Sequence, residues 1–526
     1  MKYRSLLLAL LIAAVLKAVL IWADVVTFNG DEAVIALMAR HINRLGTRPV
    51  FFYGQAYMGS LDGYMVAAAF RIFGEKVFAI RIVHGILYLL FLWTGWLLAR
   101  RLFKHSRIAD IAVLLAAIPP VVMSTYTTAT LGGYTQSLVL GNIILLLGYE
   151  VTFGEKENTW WAWLALGAVS GLAFWVLGIS GVYILPVGLV GLLHFKFKRL
   201  PFYALAALGF FLGGILWWNY NFTHDWAALQ TLGGPEMVAT TPFDRLLGLL
   251  FLGIPAVLGL RAPWALDYFP LPLIFVILIF YLAVALFVIV KLREARRNSE
   301  IKAGMAPGTI TFLGVLVGAF VVVFVGSNFG LDSTGRYLLP LYLPFTYATA
   351  TFVHAAWKRK RSWGIGLLVL VMALNAAGTW LGAISTDKLT TQFDPITSFD
   401  NSYDDALMDF LNERGISRGY SNYWVTFRLA FLSDEQLIFS PELPYKDDLS
   451  YTDNDNRYPR YAQMADDSDE VAYITTKHPQ LDAVIRTRFE ELGVTYLEHE
   501  IGPFHIFYEL SRPVRPEEIG YGAAAP

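Results

Sequence analysis

Three groups of side chains in this chain are of types that do acid–base or ion-binding chemistry. Asp31 and Glu32 are adjacent carboxylates at the start of TFNGDEAVIALMARHI, whose apolar spacing predicts a short amphipathic helix. Asp62 stands in a second such stretch, FFYGQAYMGSLDGYMVAAAFRIFGE, with Tyr57 and Tyr64 on either side. Lys17 lies inside an apolar run. An ionised carboxylate accepts protons. A lysine in hydrocarbon costs ~2.5–3.5 kcal/mol to insert, so it reads as a site residue by default. Each group also has a plainer structural explanation. First-turn carboxylates complement the helix dipole, and Asp31 as an N-cap would contribute ~0.5–2 kcal/mol. Asp62 reads equally as a solvated loop residue. Lys17, in the outer third of its run, reads as a side chain snorkelling to the interface. His84 reads as a packing histidine, and His499 and His505 lack metal-ligand spacing. P-loop, dinucleotide and His-Glu-x-x-His zinc motifs are missing from the sequence.

The elements that must position these groups are set by composition. Of 526 residues, 56% are hydrophobic, 15% aromatic and only 16% charged, against about 25% charged in an ordinary soluble domain. So few charges cannot cover the surface of a water-soluble chain of this length. A net charge of −1 and the lack of a basic domain argue against nucleic acid as a partner. The absence of cysteine excludes disulfides, thiolate zinc sites and cysteine nucleophiles. A polytopic α-helical membrane protein remains. The charge is also split: residues 1–385 hold 29 Lys and Arg against 16 Asp and Glu, and 386–526 hold 12 against 26. A domain boundary is therefore expected near Ser385.

A membrane span needs about 20 apolar residues. Eleven are expected, near 5–23, 78–99, 108–126, 134–150, 160–176, 180–195, 201–220, 270–290, 309–327, 337–356 and 363–383, with 160–195 also readable as one broken helix. Basic clusters at Arg100–Arg107, Lys196–Arg199, Lys291–Arg297 and Lys358–Arg361 fall on one side if the N-terminus, with Lys2 and Arg4, is cytoplasmic. Loops 24–77, 221–269 and 328–336 and the acidic tail then lie outside, in a plasma-membrane protein with an extracytoplasmic C-terminal domain. That orientation makes the apolar stretch 246–260 an interfacial or re-entrant segment broken at Pro255. The first apolar segment is expected to be retained as a span, since it is long for a signal peptide and has no clean cleavage site near Trp22–Asp24. In the tail, helices are expected at 403–414 and 479–492 and strands at 471–475, 494–497 and 504–508, with a loop-like acidic stretch at 441–459: a small α/β domain.

Two runs carry a resemblance. Asn29-Gly30-Asp31-Glu32-Ala33, followed by Tyr53-Gly54-Gln55-Ala56-Tyr57-Met58-Gly59-Ser60-Leu61-Asp62, resembles the first outer loop of GT-C superfamily glycosyltransferases. The likeness is to bacterial relatives of dolichyl-phosphate-mannose protein mannosyltransferases and of the lipid A aminoarabinose transferase (glycosyltransferase family 39-like). Thr334-Gly335-Arg336-Tyr337-Leu338-Leu339-Pro340 is similar to that family's Arg-Tyr-Leu-Leu-Pro run at the outer start of a span. The resemblance covers about residues 1–385 and leaves the tail outside.

The resemblance implies an inverting glycosyltransferase that takes a sugar from a polyprenyl-phosphate-linked donor and passes it to an acceptor glycan, lipid or protein at the outer face, among membrane lipids and without nucleic acid. It implies Asp31 as the general base, Glu32 orienting it or binding sugar hydroxyls, and Arg336 holding the lipid phosphate. Gln55, Tyr57, Asp62 and Tyr337 complete the implied substrate-binding set, with Lys17 added from its position. A plainer reading of Arg336 is a cation snorkelling to headgroups, or a structural partner of Asp332. No bound cofactor is implied, no metal ligands are assigned, and a divalent ion is left open. One departure stands out: where aminoarabinose-type relatives carry Glu-Lys-Pro-Pro, this chain has Tyr53–Tyr57, so a second catalytic carboxylate does not carry over to Gln55, and Asp62 stands in that place. The alternatives are a membrane transporter or lipid flippase, or a non-catalytic scaffold. Polar residues gathered in outer loops rather than at mid-span favour the enzyme.

Overall fold

The computed structural model describes residues 3–232, 240–298, 300, 304–327, 332–392, 394, 396–399 and 401–522. Lys2 and residues 328–331 of the expected outer loop lie outside them. The chain divides into two compact units: 1–25, 57–61 and 81–384 in the first, and 26–56, 62–80 and 385–526 in the second.

The first unit is helical. Among the described residues seven helices are long and apolar enough to cross a membrane: Arg4–Trp22, Val77–Leu102, Tyr134–Thr152, Gly178–Phe195, Leu271–Arg297, Thr309–Gly326 and Arg361–Ala383. The pair Leu200–Gly213 and Ile215–Thr223, bent by 68° at Gly214, makes an eighth if counted as one span. The difference from eleven has local causes. Expected span 108–126 is two helices, Ser106–Ala117 and Val121–Tyr126, parted at Pro119-Pro120, where a missing N–H and the restricted residue before proline stop the first. Trp160–Val176 has 17 residues, and extended Leu177 separates it from the 3-10 turn Gly178–Ser180, so 160–195 is not one continuous helix. Span 337–356 opens as a tight 3-10 turn, Arg336–Leu341, around Pro340, and only then becomes the helix Tyr342–Arg359, diluted by Thr346, Thr349 and Thr351.

Small residues set the closest helix contact. Gly167 and Gly171 on one helix face Gly209 and Gly213 on another, each pair four apart. A Cβ on Gly167 would lie 1.9 Å from the Ala206 carbonyl oxygen, and one on Gly213 1.9 Å from that of Ala168. Backbones approach this closely only where side chains are absent, the usual device for packing helices in lipid.

Stretch 246–260 does not break at Pro255. Helix Pro242–Gly248 passes into a wide π turn, Leu249–Gly253, and then into Ile254–Leu258, ending at left-handed Gly259. The π turn absorbs the hydrogen bond that proline cannot make. The Tyr268 hydroxyl donates to the Phe251 carbonyl at 2.6 Å, supplying a partner at that turn.

The second unit is built on a five-stranded sheet: β1 (Arg418–Ser421), β2 (Ile438–Ser440), β3 (Ala472–Thr476), β4 (Leu497–Ile501) and β5 (Phe504–Tyr508), in the order β2-β1-β3-β5-β4. β2, β1 and β3 are parallel; β3, β5 and β4 are antiparallel. Alternation along the strands divides the core. Ala472, Ile474, Phe504 and Ile506 face helices Asp404–Glu413 and Tyr423–Leu432 through Leu407, Leu411, Val425 and Leu429. Tyr420, Tyr473 and Phe507 face helix Pro479–Glu491 through Leu481, Ile485 and Phe489. β2 and β4 are the edge strands, and β4 is exposed and acidic. Helix Gly30–Arg44 packs on Tyr423–Leu432, and Val26 bridges to Leu389.

Candidate active site

The expected site residues fall in both units: Asp31, Glu32, Gln55 and Asp62 in the second, and Lys17, Tyr57, Arg336 and Tyr337 in the first. Each group is described within its own unit.

In the second unit Asp31 is not the N-cap. Asn29 is: its side chain accepts from the Glu32 N–H at 3.2 Å and donates to Thr391 at 2.5 Å. Asparagine caps as well as aspartate, so capping leaves the Asp31 carboxylate available. Tyr423, at the start of its own Asn422-capped helix, donates its hydroxyl to Asp31 Oδ1 at 2.5 Å. Gly30 permits that approach, because a Cβ there would meet Tyr423 Cε1 at 3.1 Å and its carbonyl oxygen at 3.2 Å. Burial, followed by the charge of Asp31, holds the Tyr423 hydroxyl protonated well above the usual phenol range. Tyr423 therefore acts as a donor here.

Around this pair lie residues the sequence did not single out. The Arg457 guanidinium lies 5.5 Å from the Tyr423 ring centre and 5.9 Å from that of Phe52. Its backbone packs on Gly54, where φ is +66° and a Cβ would come within 2.9 Å of Arg457 Cα. Tyr445 packs edge-on against Trp424 at 6.1 Å, and burial, then the charges of Asp455 and Asp31, push its hydroxyl up. Burial pushes the Asp455 carboxyl up to about 6, with the charge of Asp31 adding to it and Arg457 and Lys446 pulling the other way. The loop-like reading of 441–459 had the backbone right but gave no sign that it carries these groups. A clue lay in Asn422-Tyr423, a cap followed by an aromatic, and in the mixed-charge run Asp453–Arg457.

Asp455 gives a stability prediction. Its folded value lies above the 3.8 of a free carboxyl, so folding favours the protonated form. That contribution is complete below about 3.8 and lost as pH rises through about 6. Asp455→Asn should therefore be stabilising relative to the parent at pH 7.5, by at most about 3 kcal/mol, and progressively less so towards pH 5. Thermal melts of both proteins at the two pH values measure this, and a difference independent of pH would contradict it.

Asp62 is fully buried in the first turn of helix Leu61–Phe73, contrary to the solvated reading. Glu32 is fully buried at the third position of its helix, and Gln55 is half-buried, its N–H closing a turn onto Phe52. His505 bridges Asp482 at 3.1 Å and Glu498 at 2.8 Å, a structural arrangement within the sheet unit.

In the first unit Arg336 opens the 3-10 turn after left-handed Gly335, where a Cβ would come within 2.9 Å of the Ala256 Cβ. Its Nε lies 2.9 Å from Asp332 Oδ2, and the guanidinium carbon lies 5.0 Å from the centre of the Tyr337 ring. The Thr334 N–H and hydroxyl both donate to the other Asp332 oxygen. Tyr337 in turn approaches Tyr134 at 6.3 Å, and Tyr57 is within electrostatic reach of Tyr134. Lys17 does not snorkel. It is 3% exposed, and Nζ donates to the Ser124 carbonyl at 3.1 Å and to the hydroxyls of Thr127 and Thr128 at 2.7 Å each. An ammonium has three hydrogens, so Lys17 is fully engaged at the end of helix Val121–Tyr126. His84 is buried against Thr135 at 3.2 Å, as a packing histidine would be. Among the described residues no group of three or more His, Asp or Glu side chains could hold a metal ion.

Residues 61–218 match the family model for dolichyl-phosphate-mannose-protein mannosyltransferase. The chain is 28% identical over 193 residues to the undecaprenyl phosphate-alpha-4-amino-4-deoxy-L-arabinose arabinosyl transferase of Pseudomonas aeruginosa (strain UCBPP-PA14). That match spans 33% of this chain and 34% of the relative, about a third of its length. The fold is similar along nearly the whole chain to the crystal structure of ArnT from Cupriavidus metallidurans bound to undecaprenyl phosphate, at 13% identity and TM-score 0.58, covering 95% of this chain and 97% of that one. For the same protein in the apo state the identity is 13%, the TM-score 0.57 and the coverage 94% and 97%. The chain thus shares its fold along nearly its whole length with ArnT, and its sequence likeness to the mannosyltransferase family model lies within residues 61–218.

Proposed function

We propose that this chain transfers a glycosyl group from a polyprenyl-phosphate-linked donor to an acceptor on the outer face of the membrane, with inversion. The likeness to an arabinosyl transferase, and to a structure holding undecaprenyl phosphate, supports the donor class. The acceptor oxygen attacks the anomeric carbon, its proton passes to Asp31 Oδ2, and the bond from that carbon to the phosphate oxygen breaks. The leaving polyprenyl phosphate is already an anion and needs little protonation, so one base suffices. Arg336 is assigned to the lipid phosphate. The observation that carries the reading is the Asp31 carboxylate, released from capping by Asn29 and held through one oxygen by Tyr423. Incubating the purified protein with radiolabelled polyprenyl-phosphate sugars tests it. Label should leave the lipid, by transfer or slow hydrolysis, and intact donor in every case would overturn the reading.

The proposed orientation puts the N-terminus in the cytoplasm and residues 385–526 outside. Arg48 and Ser402 are exposed, and the chain has no cysteine. Arg48→Cys and Ser402→Cys should each react with an impermeant thiol reagent on intact cells. Labelling only after lysis would reverse the orientation.

A further inference from the structure

A cavity of about 130 Å³ in the first unit is lined by His105, His354, Lys291 and Lys358, with Phe103 and Phe287 as apolar wall. His105, Lys291 and Lys358 fall in three of the chain's basic clusters, and His354 lies one turn before Lys358. His105 immediately precedes the helix Ser106–Ala117, Lys291 lies towards the end of Leu271–Asn298, and Lys358 lies in the last turn of Tyr342–Arg359. Met305, which bridges to Phe103, and Gly304, whose carbonyl accepts from the Lys104 N–H at 3.1 Å, also line it. The Lys358 ammonium donates to His105 Nε2 at 3.3 Å, and the His105 and His354 rings lie 5.3 Å apart. Glu294 lies 2.6 Å from Lys291, one turn along the same helix.

His354 makes the cavity informative. It is 6% exposed, and among the described residues neither of its ring nitrogens has a hydrogen-bond partner. A buried polar group left unsatisfied pays its full desolvation penalty, so each one calls for a partner. The other groups around it are ammoniums and an imidazole that already accepts from one of them. The surroundings are thus rich in donors and positive charge, with Arg107 nearby on the ring of Trp357 at 5.4 Å. The N-terminus of helix Ser106–Ala117 adds partial positive charge. A group with several acceptor oxygens and negative charge fits this set. A tetrahedral oxyanion can reach donors arriving from three helices, whereas a planar carboxylate presents two oxygens in one plane.

We propose that this cavity is a binding site for a phosphate group, carried by an anionic lipid headgroup or by free phosphate. Purified full-length protein tests it in two arms. In detergent, inorganic phosphate is titrated against chloride at matched ionic strength, reading melting temperature. In nanodiscs of phosphatidylcholine with and without phosphatidylglycerol, retained lipid is read by native mass spectrometry. A phosphate-dependent rise in melting temperature assigns free phosphate, and retention of phosphatidylglycerol without a phosphate response assigns the headgroup. In either case Lys358→Gln, at an exposed position, and His354→Phe should each weaken half-saturation at least about tenfold. Parent-like saturation in both variants, or no binding in either arm, overturns the site.

Discussion

Asp31→Asn is expected to lower turnover by ~10²–10⁴ while donor binding stays near that of the parent. Asparagine keeps the size of the side chain and can still accept from the Tyr423 hydroxyl, so the contact between the two helix starts persists. What it loses is the basic oxygen. The fold has little at stake in the change, since Asn29 supplies the cap. Tyr423→Phe removes the hydroxyl that fixes Oδ1 and leaves the base, so its rate should fall less than that of Asp31→Asn. Gly30→Ala should resemble Tyr423→Phe, because the new Cβ would lie 3.1 Å from Tyr423 Cε1 and 3.2 Å from its carbonyl oxygen, which must shift to admit it. Single-turnover rates with labelled donor, alongside thermal melts, separate these cases. Near-parent turnover in a folded Asp31→Asn protein would remove the base assignment.

Arg336→Ala should require at least about tenfold more donor for half-saturation, given roughly 1.5–3 kcal/mol for each charge-assisted hydrogen bond lost. Arg336→Lys keeps the charge but not the planar fork, so it should fall between. The ion pair with Asp332 offers a competing, purely structural role, and Thr334 fixes Asp332 through its other oxygen. The two roles separate experimentally. If Asp332 positions Arg336 for a phosphate, Asp332→Asn should weaken donor binding with a modest change in melting temperature. If the pair serves only the fold, Asp332→Asn and Arg336→Ala should both lower the melting temperature. Unchanged donor affinity in a well-folded Arg336→Ala protein would leave the phosphate without its proposed anchor.

Hydropathy made the helical class legible because burial in lipid demands apolar runs whatever the packing. The helices within those runs are interrupted where local backbone chemistry intervenes, at Pro119-Pro120, at Leu177 and around Pro340. In the tail, long amphipathic helices, β3 and β5 were readable; the strand expected at 494–497 meets β4 only at Leu497, and β1 and β2 were not readable. Strands of four and three residues, buried on both faces, carry no alternation to detect. Asp31 was visible as a carboxylate at a helix start, yet which residue caps that helix was not, since asparagine and aspartate compete two positions apart. Tyr423, Asp455 and Arg457 were invisible for a different reason. Tyr423 and Asp31 are 392 positions apart, and nothing local encodes their pairing. Lys17 was misjudged because snorkelling assumes lipid around the side chain, while the structure surrounds it with threonine hydroxyls and the Tyr88 ring.

The π turn at Leu249–Gly253 has a consequence for how this part of the chain tolerates length changes. A π turn is an α-helix carrying one extra residue, and each residue turns an α-helix by about 100°. Gly253, the last residue of the turn, and Ala256, just beyond it, lie against Leu338 and Gly335, neighbours of Arg336. Deleting one residue between Leu249 and Leu252 would let the helix close as regular α, with the residues beyond it kept near their present angle about the axis. The same deletion in the regular helix would turn them by about 100°, away from Leu338 and Gly335. The π turn therefore works as a spare residue, and a single-residue deletion there should harm the Arg336 turn less than one elsewhere along the same helix.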